Sequence, residues 1–298
     1  MNARLLWTAA LVVAGWLASG SSGSAQTTFK QTLELSIPEA NQGIAVDEQN
    51  FYAIDDRTIA KYTKVGRLLA KWEGAEDGPI IHLDSGVVID GKLYCAHSNY
   101  RYFPMVSSIE VWDAATLEHI GSHSLGIRHG SLTWLDRIDG VWWGTFANYD
   151  RTGLAPDGTE TNLPYGGKMN TLLVKFDRNW QTLESWIFPN ELLDRFEQMS
   201  NSGGSWGPDG VLYLSGHDPA EVYKIRFPEA GSVIEVDEVI PANIRGQGIA
   251  WDRSRPGTFW GIIRATDDEE AQGIGNRVVS FETNVAKTHR RGPLRFKP

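Results

Sequence analysis

One unit of four short strands recurs along the chain, and this repeat restricts the fold more than any other feature of the sequence. The first copy reads Gly43-Ile-Ala-Val-Asp, Asn50-Phe-Tyr-Ala-Ile, Thr58-Ile-Ala-Lys-Tyr and Arg67-Leu-Leu-Ala-Lys-Trp. Four later copies begin at similar glycines, which are Gly86, Gly130, Gly204 and Gly248. A four-stranded unit with a period of roughly 40 to 45 residues is typical of β-propeller blades. The sequence therefore predicts an all-β fold, a five-bladed β-propeller.

Turn residues mark the boundary between the first and second strands of the repeat. Asp-Gly pairs stand at three of these boundaries: Asp90-Gly91, Asp139-Gly140 and Asp209-Gly210. Because Asp-Gly favours tight two-residue hairpins, the strands of each unit should pair antiparallel. Single aspartates recur nearby at Asp47 and Asp252, and such repetition in register indicates a structural role.

The fifth copy ends without a fourth strand. The apolar alternation Phe29-Lys-Gln-Thr-Leu-Glu-Leu precedes the first copy and has no other partner within the repeat. An unpaired outer edge would be left exposed if this segment stayed apart. We therefore expect the N-terminal strand to close the ring as the outer strand of the fifth blade.

The third copy is longer than the others, because 74 residues separate Gly130 from Gly204. A sixth blade is the alternative explanation for this excess. However, Asp150 to Lys168 is polar and rich in turn residues, and Asn190 to Met199 reads as a short amphipathic helix. Five blades are therefore favoured. Residues 150–168 form a long loop that follows the second strand of the third blade, and we predict that this loop is a lid.

The two ends of the chain differ from the repeat. Residues 1–25 combine a positive start, an apolar run and small residues, the pattern of a secretory signal peptide. We therefore expect a periplasmic or secreted protein in which residues 26–284 form a single propeller domain. Residues 285–298 are basic and predicted to be a solvated tail.

Charge and cysteine content exclude several classes of function. The formal net charge of −9 becomes −10 when the signal peptide leaves with its one charged residue, Arg4. An acidic surface disfavours nucleic acid and anionic lipid as partners, and the apolar run of the signal is too short for a membrane span. Cys95 is the only cysteine, so no internal disulfide forms and we expect a buried thiol in a monomer.

Variable polar residues mark one face of the predicted ring. Loops that enter the first strand of a blade and loops that leave the second strand share this face. The side chains there differ from blade to blade: Gln42, Asp56, His82, Asp84, His97, Asn99, Arg128, His129, Asn148, His217, Asp218, Arg245 and Gln247. Because a purely structural turn would repeat, this variation favours a functional site at the central axis.

Four of the seven histidines lie on this face and come from three blades: His82, His97, His129 and His217. Imidazoles from separate loops are common ligands of Zn, Mn, Fe and Ni, and Gln42 or Gln247, together with Asp84, would add oxygen ligands. The sequence thus predicts one divalent metal ion of unspecified identity. The alternative is that each histidine hydrogen-bonds a neighbouring loop and stabilises the fold.

Acid–base catalysis is expected from His82, His129, His217 and Tyr100, because imidazole and phenol groups can exchange protons with a substrate. For Tyr100 the alternatives are packing and a wall on which a sugar stacks. The predicted substrate-binding residues are two arginines beside axial strands and three amides: Arg128, Arg245, Gln42, Asn99 and Asn148. Guanidinium groups bind carboxylate or sulfate, although loop-tying ion pairs would explain the arginines equally well.

The repeated Gly-hydrophobic-Ala/Trp-Asp and Asp-Gly units, over residues 29–282, resemble those of exported bacterial β-propeller proteins. This broad group includes gluconolactonase-like, streptogramin-lyase-like and "cycloisomerase"-labelled members, and the resemblance implies the propeller architecture. From the residues we expect an exported enzyme with lyase, isomerase or hydrolase chemistry on a small anionic or carbohydrate-like molecule, including an oligosaccharide. The alternative is a non-catalytic propeller that binds a glycan, peptide or partner protein through the same face.

Overall fold

The computed structural model describes residues 26–161 and 167–286. The predicted signal peptide, 1–25, and residues 287–298 of the predicted tail lie outside the described residues. So do residues 162–166 of the predicted lid.

Five four-stranded antiparallel sheets form a ring of blades around one axis. Strand β1 (Phe29–Ser36) comes first along the chain. The strands of blade 1, from the axis outward, are β2 (Gly43–Val46), β3 (Asn50–Asp55), β4 (Thr58–Thr63) and β5 (Leu68–Glu73). Those of blade 2 are β6 (Leu83–Ile89), β7 (Lys92–Ser98), β8 (Ser107–Asp113) and β9 (His119–Gly126).

Blade 3 contains the insertion and is otherwise built in the same way. Its axial pair is β10 (Ser131–Ile138) and β11 (Val141–Ala147), and the ribbon β12 (Gly153–Leu154) and β13 (Glu160–Thr161) follows. Its outer strands are β14 (Leu172–Phe176) and β15 (Thr182–Ile187). Blade 4 comprises β16 (Gly203–Trp206), β17 (Leu212–Ser215), β18 (Glu221–Arg226) and β19 (Glu235–Pro241).

Blade 5 is completed from both ends of the chain. It contains β20 (Ala250–Trp251), β21 (Thr258–Ile263) and β22 (Arg277–Thr283), with β1 as its outer strand. Strands β1 and β22 pair antiparallel from Phe29 opposite Thr283 to Ser36 opposite Arg277. The predicted five-bladed ring, closed by the N-terminal strand, is therefore confirmed.

Two short α-helices among the described residues lie outside the sheets. Helix α1 (Asn190–Leu193) continues into a 3-10 turn at Asp194–Phe196, and it is shorter than the predicted 190–199 helix because Glu197 adopts a φ of 53°. Helix α2 (Asp267–Ala271) was not predicted from the sequence, and Thr266 and Glu269 form its capping box. None of the helices in the described ranges is long and apolar enough to cross a membrane.

The hydrophobic core is divided among the gaps between neighbouring blades. Blade 1 packs against blade 2 through residues such as Ile54 and Trp112, and against blade 5 through Phe51 and Trp260. Inner strands are therefore buried on both faces, whereas β1 alternates between half-buried and exposed residues. The free thiol of Cys95 lies in the gap between blades 1 and 2 and is buried.

Glycines permit the axial strands to approach one another closely. A Cβ atom on Gly43 would lie 2.9 Å from Cα of Ser85, and one on Gly248 would lie 2.7 Å from Cα of Gly43. Real Cβ atoms essentially never approach so closely. The glycine that begins each of these copies is therefore explained by the narrow centre of a five-bladed ring.

The recurrent aspartates are structural, as their repetition indicated. Asp47 accepts a hydrogen bond at 2.7 Å from the hydroxyl of Tyr52, and Asp209 accepts one at 2.9 Å from that of Tyr213. Both aspartates also accept from backbone N–H groups of their own hairpins. These side chains therefore fix turns on the face opposite the candidate site.

Candidate functional site

Polar side chains from all five blades meet where the axis opens on the predicted face. We call this cluster the axial mouth, and its members are Gln42, Asp56, His82, Asp84, Tyr100, Tyr149, His217, Asp218 and Arg264. They lie next to the start of a first strand or the end of a second strand. The positional rule therefore predicted which of these side chains share one face of the ring, and a functional role for that face stays a prediction.

His82 lies between two carboxylates. Its Nδ1 atom is 2.7 Å from Oδ1 of Asp56, and its Nε2 atom is 3.5 Å from Oδ2 of Asp84. Gln42 donates a hydrogen bond at 2.8 Å to the same oxygen of Asp56. Because a carboxylate only accepts, a neutral His82 would carry its proton on Nδ1 and direct the lone pair of Nε2 towards Asp84.

The His82 and Asp84 pair is placed to exchange a proton. Burial raises the pKa of Asp84 to about 7, against the opposing effect of the nearby imidazole. Burial alone would lower the pKa of His82, but the negative charges of Asp84 and Asp56 outweigh it and raise the pKa above its ordinary value. The two groups are therefore electrostatically coupled, and each binds a proton more tightly than the free side chain does.

Arg264 provides the cationic side of the mouth. Its Nη2 atom lies 3.0 Å from Nε2 of His217 and 3.4 Å from Oδ1 of Asp218, while Nδ1 of His217 lies 2.7 Å from Oδ2 of Asp218. This arrangement is satisfied when His217 donates from Nδ1 and accepts at Nε2. Burial lowers the pKa of Arg264, partly offset by carboxylates that include Asp56 and Asp84, yet a guanidinium stays charged.

Two tyrosines form an aromatic wall beside His82. The ring of Tyr100 lies 5.0 Å from that of His82 and 5.1 Å from that of Tyr149, measured between centroids. Burial raises the pKa of both phenols, and for Tyr100 the charges of Arg151 and Arg101 oppose this effect. Both hydroxyl groups therefore stay protonated at neutral pH and can act as donors.

Several buried oxygens near the axis have no hydrogen-bond partner among the described residues: Gln42 Oε1, Asp84 Oδ2, Ser85 Oγ and Asn148 Oδ1. Native proteins satisfy almost all of their buried polar groups, so a concentration of exceptions indicates a site that receives partners from a ligand or solvent. Three of the four come from the axial side of blades 1 and 2, because Gln42 directly precedes β2 and both Asp84 and Ser85 lie in β6.

The histidine positions require a correction. His97 accepts a hydrogen bond from the backbone N–H of Ile81 at Nε2 and pairs with Ser108 Oγ at Nδ1, so neither ring nitrogen is available to a metal. Burial lowers the pKa of His97 to about 4, which keeps the ring neutral. His97 faces the gap between blades 1 and 2 and does not join His82 in the axial mouth, so its contacts do not support the expected ligand role.

His129 also lies away from the axial mouth. Its ring packs on those of Phe146 and Phe176, at centroid distances of 4.9 Å and 6.5 Å. Burial and the charge of Arg128 lower its pKa. The expected four-histidine cluster is therefore not assembled, because the side chain of His129 turns into the gap between blades 2 and 3.

Across residues 26–161 and 167–286, no group of three or more His, Cys, Asp or Glu side chains is arranged to hold a metal ion. The residues present there do not fit the predicted metal site. Gln247, the expected oxygen ligand, is buried beside the axis, and its backbone oxygen accepts a hydrogen bond from Ser215. Uptake of a divalent metal stays a prediction.

The two arginines predicted to bind substrate are placed differently from Arg264. Nη1 of Arg245 lies 2.5 Å from Oε2 of Glu269 in α2, which is a loop-tying ion pair of the kind expected as the alternative to substrate binding. Arg128 is exposed beside His129. Arg264 was missed, although it directly follows β21 and so obeys the same positional rule as His217 after β17.

Two of the three predicted amides have structural contacts. Asn99 donates to the backbone oxygen of Pro104 and accepts from the N–H of Val106, which closes its own loop. Asn148 donates to the backbone oxygen of Asn170 and is buried. Gln42 alone belongs to the axial mouth.

The described part of the insertion lies beside the tyrosine wall. The N–H of Leu154 donates to the oxygen of Arg101 at 2.7 Å, and the N–H of Phe103 donates to the oxygen of Leu154 at 2.6 Å. Lys168 donates to the backbone oxygen of Leu193 at 3.0 Å. The insertion therefore connects the loop that carries Tyr100 with the segment before blade 4, on the face of the axial mouth.

No protein-family model matches the chain, and no curated protein matches it. Solved structures that it resembles include the WD40 repeats of RRP9, with 11% identity, a TM-score of 0.43, and coverage of 81% of this chain and 79% of that chain. A protein of unknown function from Bacteroides caccae has 11% identity, a TM-score of 0.44, and coverage of 81% and 77%.

A subtype N11 neuraminidase-like protein of A/flat-faced bat/Peru/033/2010 (H18N11) is also similar, with 12% identity, a TM-score of 0.43, and coverage of 84% and 74%. These low identities carry no information on activity. The likeness extends to the propeller architecture alone.

Proposed function

We propose that this protein is an enzyme that performs acid–base chemistry on a small anionic, carbohydrate-like substrate at the axial mouth. The observation that carries the proposal is the His82 and Asp84 pair, in which a buried carboxylate with a pKa of about 7 faces an imidazole at 3.5 Å. General catalysis is most effective when the pKa of the catalytic group lies near the working pH. Strongly perturbed groups of this kind are concentrated at functional sites.

Arg264 supports the assignment of an anionic substrate. Its guanidinium is held by Asp218 and His217 at the rim, where it can receive a substrate carboxylate. The tyrosine wall offers a flat surface for a sugar ring, and Gln42 has a carbonyl oxygen free to accept a hydroxyl group. A carboxylated sugar could therefore place its carboxylate on Arg264, its ring on the tyrosine wall and a hydroxyl group on Gln42.

The arrangement favours elimination or isomerisation over hydrolysis of a glycoside. With His82 neutral and Asp84 ionised, Nε2 of His82, oriented by the bond from Nδ1 to Asp56, would take the proton from the carbon next to the substrate carboxylate. In an elimination, that C–H electron pair forms the double bond, the C–O bond breaks, and Tyr100 protonates the leaving oxygen. Arg264 would stabilise the enolate-like charge that develops.

Hydrolysis of a glycoside requires two carboxyl groups that flank the bond to be broken. Asp56 and Asp84 cannot flank a substrate bond, because the imidazole of His82 lies between them. A hydrolase is therefore the weaker enzymatic assignment.

The test uses purified protein with short oligosaccharides of galacturonate, alginate and hyaluronate, each of which carries a carboxylate beside an acidic C–H bond. Elimination is followed through the ultraviolet absorbance of the conjugated double bond. We expect turnover of at least one of them and a loss of about 100-fold or more in His82→Gln. The matched control is His123→Gln, because His123 is exposed on β9 and stacks on Trp180 away from the mouth.

If an oligosaccharide binds but is not converted, the non-catalytic alternative is favoured. Turnover that survives His82→Gln would contradict the assigned role of this residue.

Arg264 gives a separate prediction for binding. Arg264→Gln should raise KM or Kd for a carboxylated sugar by about tenfold or more, because a charge-assisted hydrogen bond is lost. Arg128→Gln is the control, since Arg128 is exposed outside the axial mouth. Equal weakening in both variants, measured by titration calorimetry, would show that Arg264 has no specific role.

A further inference from the structure

A second cavity lies on the flank of the ring, between the outer strands of blades 1 and 2. Its volume is about 540 Å³, within the range of roughly 300 to 1,000 Å³ that small-molecule sites occupy. We call it the flank cavity, and define it by Trp72, Pro79 and Ile80 on blade 1 and by Glu110, His119 and Ser122 on blade 2. It shares none of these residues with the axial mouth.

The floor of the flank cavity is a buried carboxylate held by three donors. Oε1 of Glu110 accepts hydrogen bonds at 2.7 Å from Ser108 and at 2.8 Å from Ser122. Oε2 accepts one at 2.8 Å from Nε2 of His119, and Glu110 is only 5% exposed. Because each carboxylate oxygen has two acceptor positions, Oε2 of Glu110 keeps one for a donor that enters the cavity.

The opposite wall is apolar and rigid. The ring of Trp72 packs edge-on against the fully buried Trp112 of blade 2, with centroids 4.9 Å apart. His119, on the same blade as Trp112, packs on it at the same centroid distance. Pro79 and Ile80 continue this apolar wall. The flank cavity therefore presents an aromatic and aliphatic surface on one side, and hydroxyl, imidazole and carboxylate groups on the other.

The chemistry of the two walls restricts the ligand. A purely apolar molecule would cover the Glu110 carboxylate without supplying a donor, which is costly, and an anion would be repelled by it. A neutral pyranose fits both walls, since its C–H face can lie on Trp72 while its hydroxyl groups donate to Glu110 and exchange hydrogen bonds with Ser122. We propose that the flank cavity binds a neutral sugar residue.

The test is saturation-transfer NMR on the full chain with D-glucose, D-galactose, D-mannose and D-xylose, each used separately at millimolar concentration. We expect transfer to the ring protons of at least one sugar. Trp72→Leu should weaken its binding about tenfold or more, because the aromatic face is lost. The matched control is Trp186→Leu, which changes the equivalent fifth position of the outer strand of blade 3.

A second variant keeps the proposal testable if Trp72→Leu does not fold. Ser124 is exposed on the edge strand β9 and lines the same cavity, so Ser124→Tyr should block it without disturbing the core, and transfer should disappear. Absence of transfer to all four sugars would overturn the proposal. Transfer that persists unchanged in Ser124→Tyr would place the sugar elsewhere and would overturn it as well.

Discussion

His82 reaches its first carboxylate partner 26 residues back in the chain and its second only two residues ahead. Asp56 is half exposed on the rim, whereas Asp84 is buried at the start of the axial strand β6. The same residue type therefore has two different environments around one imidazole. This difference lets one carboxylate orient the ring while the other holds a proton at neutral pH.

The buried carboxylate has a consequence for stability. The pKa of Asp84 is raised from 3.8 to about 7 by burial, so the folded protein binds a proton that the unfolded chain has released over this range. Stability from Asp84 is therefore present at low pH and lost as the pH rises towards about 7. The raised pKa of His82 acts in the same direction.

We expect Asp84→Asn to be increasingly stabilised relative to the parent as the pH rises between about 4 and about 8, because asparagine has no proton to lose. Urea unfolding at several pH values measures this difference. A constant difference in the free energy of unfolding across the range would show that Asp84 ionises normally in the folded protein.

The residues of the axial mouth could be predicted only in part. The position of a residue next to a strand end identifies its face of the ring, and this was sufficient for Gln42, His82 and His217. It does not give the direction of the side chain, which is why it also selected His97 and His129, whose rings lie away from the axial mouth. The hydrogen-bond and ion-pair partners of His82 could not be predicted from the sequence either, because they depend on how separate blades pack.

At the scale of elements, each blade depends on its neighbours for a core. The inner strands are buried on both faces, and the apolar clusters lie between blades rather than inside one. The repeat was visible in the sequence because every blade needs the same alternation and the same turns. The β12–β13 ribbon and α2 occur once each, so the repeat in the sequence did not predict them.

The closing strand gives a prediction about stability. A chain that begins at residue 37 lacks β1. Its blade 5 therefore loses the hydrogen-bonded ladder between β1 and β22, and it loses the packing of Phe29 on Trp251, Phe259 and Phe281. We expect its Tm to fall by about 10 °C or more relative to a chain that begins at residue 26. Thermal unfolding followed by circular dichroism measures this, and equal Tm values would contradict the closure.

The Asp-Gly hairpins give a second prediction at this scale. Gly91 has a φ of 74° and open space around it, so Gly91→Ala should destabilise the protein by about 1 kcal/mol through backbone strain alone. Gly275→Ala is the control, because its surroundings are also open and its φ is not positive. We expect the control to change the free energy of unfolding by less than about 0.5 kcal/mol, and similar losses at both sites would argue against a strained turn.

At the scale of the whole molecule, the ring has a structural and a functional consequence. Closure by β1 fixes blade 5 against blade 1, which holds Arg264 within electrostatic range of Asp56 and Asp84. The opposite face carries the repeated aspartate turns, so the structural turns and the axial mouth lie on different faces of the ring. A site assembled in this way from five blades is stable only while the whole ring is closed.

The central claim is that His82 and Asp84 share a proton at the axial mouth. The most direct test is an NMR titration of the imidazole of His82 in the parent protein and in Asp84→Asn. We predict that the parent shows a pKa above 6.5 and that the variant shows a lower one, because Asp84 supplies the largest charge effect that raises it. An ordinary pKa in the parent, unchanged by Asp84→Asn, would contradict the coupling and with it the proposed acid–base site.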